Sequence, residues 1–141
     1  MTASARLLFI GVAVLLAARP AFSHHSFAAE FDGTQPITLK GTITRLEWVN
    51  PHGWVYVDVK GETGKSVNWA VETSGPNALL RQGVRKTDFP IGIEVIVNGF
   101  RAKNGTATAN ARTLTFPDGR AFFAGSSGTG APQDGADRTE K

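Results

Sequence analysis

The sequence predicts an all-β domain, a five-stranded OB-like barrel with one short helix between strands 3 and 4. Three observations predict it. Five segments carry strand patterning, a segment bracketed by Pro and Gly falls between the third and the fourth, and the first strand changes its apolar phase midway. An Ig-like sandwich, the competing architecture, wants about seven strands and no helix in that slot.

The first strand is expected over Ile37 to Val49, where Ile37, Leu39, Gly41 and Ile43 keep one phase and Leu46 and Trp48 take the other. A bulge or bend near Gly41 and Ile43 reconciles the two phases and suits a strand shared by both halves of a barrel. Trp54 to Lys60 sets Val55, Val57 and Val59 on one face with Trp54, Tyr56 and Asp58 on the other. Ser66 to Thr73 alternates Val67, Trp69 and Val71 with Asn68, Ala70 and Glu72, so strands 2 and 3 form a hairpin. Pro76 to Gly83 reads as about two helical turns, expected to dock Leu79 and Leu80 on the sheet. Ile91 to Arg101 and Thr106 to Phe116 are strands 4 and 5, joined at Asn104-Gly105. Ala107, Ala109 and Ala111 make one face of strand 5 narrow, and a short segment follows over Arg120 to Ala124.

The ends of the chain read differently. Residues 1–23 have Arg6, an apolar run from Leu7 to Ala18, and Ala21-Phe22-Ser23 before a cut, the pattern of a cleavable secretory signal. The apolar run is shorter than the roughly 20 residues a membrane span needs, so no span is expected after processing. Residues 24–36 form an N-terminal arm whose Phe27, Ala29 and Phe31 alternation suits an edge strand, broken at Asp32-Gly33. Residues 37–124 make the barrel domain. Residues 125–141 hold no large apolar side chain and are expected to be disordered. The chain is thus expected to be periplasmic or secreted.

Charge and cysteine usage exclude whole classes of function. Removing residues 1–23 leaves 13 basic against 12 acidic side chains, too even a balance to attract a polyanion, so nucleic acid is not expected as a partner. The chain has no Cys, which excludes disulfide staples and thiolate metal sites; a metal would need His, carboxylate or backbone ligands. No Ser-His-Asp arrangement, paired carboxylates or Gly-rich phosphate loop with interpretable spacing occurs.

Two sets of residues could carry a function. Cleavage after Ser23 exposes an α-amine on His24, and that amine with the His24 ring can chelate a metal, joined by His25 or by His52 in the turn Asn50-Pro51-His52-Gly53. Such a nitrogen-rich set suits Cu(II), and it uses all three histidines of the chain. It resembles the histidine-brace copper sites of secreted oxidases in the terminal His and one later His. The arm must double back along strand 1 for these residues to meet. Glu72 could hydrogen-bond His52 and fix its tautomer, or be an ordinary surface carboxylate. The second set is the outer face of strands 2 and 3, where Trp54, Tyr56 and Asn68 could form a shallow platform for a protein or a saccharide, or simply cover the sheet.

His24-His25-Ser26-Phe27, Asn50-Pro51-His52, Trp69 to Glu72, Ser74-Gly75-Pro76-Asn77 and Asn110-Ala111-Arg112 together resemble a family of small exported bacterial proteins of unknown function. The resemblance implies an exported OB-like domain and brings no reaction or catalytic residues. The leading expectation is therefore a small exported metal-binding module, with copper as cofactor, His24, His25 and His52 as ligands and Glu72 in support. Binding is expected rather than turnover, with a brace-type oxidase a distant third reading. The rival is a metal-free OB-like adaptor using the Trp54 and Tyr56 face.

Overall fold

Apolar residues spaced by two put one face of each strand into a common core, and the strands then pair along their edges. The computed structural model describes residues 27–125; the expected signal segment 1–23, the expected disordered tail beyond residue 125, His24 and His25 lie outside the described residues. The described chain is mostly β, with two small helices: α1 (Phe27–Glu30), β1 (Phe31–Glu47), β2 (His52–Lys60), β3 (Ser66–Ser74), α2 (Pro76–Arg81), a 3-10 turn (Lys86–Asp88), β4 (Glu94–Ala102), β5 (Thr108–Thr115) and β6 (Ala121–Phe123). Strand order is β3-β2-β1-β4-β5-β6, with a further pairing between β3 and β5. That further pairing is parallel and short, Ala70 to Glu72 against Thr108 to Asn110; all the other pairings are antiparallel.

β1 reaches two neighbours at once, pairing with β4 up to Thr42 and with β2 from Gly41 onward. Gly41 sits where the two ladders overlap, and a Cβ there would collide with the Asp58 carbonyl oxygen. The phase change after Ile43 is a bulge between Ile43 and Arg45, which returns Leu46 to the inner side. Of the described residues of the arm expected as an edge strand, Phe31 onward is strand, as the start of β1, and the four before it are not. Phe27–Glu30 is a single helical turn, and Phe31 already belongs to β1, with an irregularity between Phe31 and Pro36 where Asp32 Oδ1 accepts from Thr34 N–H at 2.9 Å. An alternating Phe-Ala-Phe stretch is compatible with either geometry. Here the helical turn lets the Phe27 ring pack on both Phe31 and Phe100, with centroids 5.8 and 5.3 Å away.

The core is built from Leu39, Ile43, Val55, Val57, Val71, Val95, Val97, Ala109, Ala111 and Leu114, the inward phase of five strands. Ala109 and Ala111 are fully buried, and the backbone of β5 lies so close to β4 that a Cβ on Gly99 would collide with the Asn110 carbonyl oxygen. Phe89 closes one end of this core, within ring contact of Trp48, Phe116 and Phe122. Of the two leucines expected to dock α2, Leu79 is buried and Leu80 is 51% exposed. A six-residue helix offers the sheet only one narrow side.

The 3-10 turn is tied by Asp88, whose Oδ2 accepts from Arg85 N–H at 2.7 Å and whose Oδ1 lies 3.2 Å from Arg120 Nη1. The Arg85 N–H first, then Arg120, hold the Asp88 carboxyl below its ordinary value of 3.8. A carboxylate depressed on folding stabilises the fold above its unfolded pKa, and that contribution is lost as pH falls through the folded one. Asp88→Asn is therefore expected to lower the thermal midpoint near neutrality and to flatten its decline below about pH 4. Parallel midpoint-against-pH curves for the two proteins would contradict the role given to Asp88.

Candidate functional site

The turn Asn50-Pro51-His52-Gly53 carries the chain from β1 into β2, through a cis Asn50–Pro51 peptide. It is seated against the end of β3 and the start of α2. Asn77 N–H donates to Asn50 Oδ1 at 3.4 Å. A Cβ on Gly75 would collide with the Pro51 carbonyl oxygen, and one on Gly53 would lie 2.8 Å from Thr73 Oγ1. The two glycines thus let Asn-Pro-His-Gly and Ser-Gly-Pro-Asn lie against each other, which sets His52 directly across from Ser74.

From there the His52 ring reaches two rungs along, and its Nδ1 lies 2.9 Å from Glu72 Oε1, with the two side chains 27% and 11% exposed. Glu72 is buried, so the plain surface-carboxylate expectation does not hold. At that distance the carboxylate can orient the imidazole, the support that metal-ligating histidines ordinarily have.

Glu72 belongs to a row that crosses the sheet on the side away from the core. Phe100 pairs with Asn110, Asn110 with Glu72, Glu72 with Trp54, and Trp54 with Glu47. Outward polar residues are ordinarily solvated, yet Asn110 and Ser74 are each 2% exposed. Among the described residues Asn110 Oδ1 and Ser74 Oγ have no hydrogen-bond partner. Sequence reasoning did not single out these two residues. They are polar and fall on the outward phase, and the one available signal was that both sit in the segments quoted above for their family resemblance.

The structure places the three residues of the predicted platform differently. Trp54 is half-buried beside Glu72 in this row. The Arg45 guanidinium lies 3.6 Å from the Tyr56 ring centroid, and the Tyr56 hydroxyl donates to Glu47 Oε1 at 3.1 Å. Burial, followed by the Glu47 contact, pushes the Tyr56 phenol above its ordinary value. Asn68 Nδ2 donates to Asp58 Oδ1 at 2.6 Å and to Thr44 Oγ1 at 2.9 Å. One face of Tyr56 and the amide of Asn68 are thus engaged within the sheet.

Among the described residues no group of three or more His, Cys, Asp or Glu gathers in one place. A metal centre at His52 would need donors from the rest of the chain, where the two remaining histidines are His24 and His25. Among the described residues, no helix is long and apolar enough to cross a membrane. In comparisons with known proteins, no curated protein and no solved structure matches the chain. A family model does match, over residues 12–111, and its description is a family of unknown function, DUF6152.

Proposed function

The chain belongs to this uncharacterised DUF6152 family, and from the residues it carries we propose that it is an exported, periplasmic metal-binding module that takes Cu(II) through His24, His25 and His52. The observation that carries the reading is the His52 Nδ1 to Glu72 Oε1 contact of 2.9 Å. A buried carboxylate that orients an imidazole is the support such ligands ordinarily have. We read the cycle of pairings β1-β2-β3-β5-β4-β1 as a five-stranded OB-like barrel, with α1 and β6 as additions.

The path of the arm supports the same site. The Phe27 ring meets the Phe100 ring edge to face, and Phe100, Asn110 and Glu72 are consecutive rungs of one row. Rungs are about 4.8 Å apart, so Phe100 and Glu72 are separated by about 10 Å. His24 is three residues ahead of Phe27, and three residues span up to about 10 Å. The processed terminus is therefore within reach of the His52 and Glu72 pair. An α-amine and an imidazole on one residue, completed by a second imidazole, make the nitrogen-rich set that Cu(II) prefers.

The test uses protein purified after export, with its first residue fixed by mass, and Cu(II) followed by absorbance and spin resonance. His52→Ala, and separately one extra residue ahead of His24, are each expected to weaken binding at least about tenfold; Glu72→Gln, which acts through His52, is expected to weaken it about 10- to 100-fold. Binding should also fall as pH drops through about 6.5, because the imidazoles must be deprotonated to ligate. Unchanged affinity in both the extended chain and His52→Ala would sink the copper reading and leave a metal-free adaptor working through the Trp54 face.

A further inference from the structure

Arg101 stands where the strand pattern calls for an apolar residue. It continues the inward phase of Val95, Val97 and Gly99 on β4, and Trp69 shares the inward phase of Val71 on β3. The two meet at the end of the core away from Phe89, with the guanidinium carbon 5.6 Å from the Trp69 ring centroid. A charge drawn toward a core is ordinarily paired with an acid. Among the described residues, however, Arg101 has no carboxylate within 4 Å. Its Nη2 donates to Gly105 O at 3.0 Å, and its Nε is buried without a hydrogen-bond partner. Arg101 lines a surface crevice of about 400 Å³ between the start of β1 and the turn joining β4 to β5, together with Lys103, Gln35 and Asp32. Lys103 also has no carboxylate within 4 Å among the described residues, and its ammonium donates to Ala28 O. Two cations without acid partners on one crevice make a seat for an anion.

We propose that this crevice binds a small α-hydroxy carboxylate, whose carboxylate takes N–H protons of Arg101 and Lys103 and whose hydroxyl donates to Asp32. The guanidinium is planar and matches a carboxylate edge to edge, and Trp69 and Gly105 O already hold it in place, which lowers the cost of ordering it around a ligand. Asp32 decides the class of anion. It accepts from Thr34 N–H at 2.9 Å and from the Thr34 hydroxyl at 2.6 Å, both through Oδ1. A carboxylate has further acceptor sites, which suit a hydroxyl beside the bound anion, while its charge opposes a dianion such as phosphate. The crevice shares no residue with the His52 and Glu72 pair, so it stands whether or not the protein takes copper.

Titration of the metal-free, isotope-labelled protein with sodium lactate at constant ionic strength tests it, followed by nuclear magnetic resonance. The Arg101 Nε–H signal and the Lys103 and Gly105 amides are expected to shift saturably, with half-saturation at about 1 mM or below. Arg101→Lys keeps the charge and loses the planar fork, and should weaken binding at least about tenfold. Propionate, which lacks the hydroxyl, should bind the parent protein at least about threefold more weakly than lactate, and uncharged lactamide should cause no saturable shift. The Val57 and Val97 amides should keep their positions throughout, which reports that the parent and the variant are folded. No saturation by about 20 mM lactate in the parent protein would overturn the proposal, as would undiminished binding in Arg101→Lys. Equal binding of propionate, or tighter binding of inorganic phosphate, would overturn the assignment to a hydroxy carboxylate. No metal is present in these titrations, so their failure leaves the copper reading standing.

Discussion

Phe89→Ala is expected to lower the unfolding free energy by about 3 to 5 kcal/mol, the cost of emptying a large aromatic site. Phe89 is 3% exposed, and its ring centroid lies 5.7, 5.4 and 5.9 Å from those of Trp48, Phe116 and Phe122. It joins the connection after the 3-10 turn to the ends of β1, β5 and β6, so its loss opens a cavity that none of the four segments can close alone. Chemical denaturation should show the drop with little change in the dependence on denaturant, and Phe89→Leu should recover part of it. A loss under about 1 kcal/mol would mean that the ring only covers the end of the core.

The second large effect is expected from Gly99→Ala. A methyl group there collides with the Asn110 carbonyl oxygen and lies 3.1 Å from Ala111 Cα. Both neighbours are backbone, so no side-chain rotamer relieves the clash and β4 must move away from β5. We expect a loss near the upper end of the overpacking range, about 3 kcal/mol. Gly64→Ala meets no neighbour, although its positive φ adds strain, and should be milder. If the two substitutions proved equally damaging, the close approach of β4 and β5 would not be the cause.

Much of the fold was legible because alternation is a local signal. The β2 and β3 hairpin, the helix opened by Pro76, the Asn104-Gly105 turn and the bulge after Ile43 each follow from a few adjacent residues. In the arm, Phe27 to Glu30 was misread as strand rather than a helical turn, because the packing of Phe27 on Phe100 joins residues far apart in sequence. Leu80 was misassigned for a related reason, since a helix of six residues has no second turn to show which side is buried. Glu72 and His52 could be suspected from their types. Ser74 and Asn110 could not, because a buried polar residue on an outward phase is indistinguishable in sequence from a solvated one.

The parallel contact between β3 and β5 spans only Ala70 to Glu72 against Thr108 to Asn110. A pairing of three rungs opens at low cost, since few backbone hydrogen bonds must break. Its last rung is Glu72 against Asn110. Any molecule gripping both side chains therefore acts as a clasp between β3 and β5, coupling what happens at this rung to the opening of that pairing.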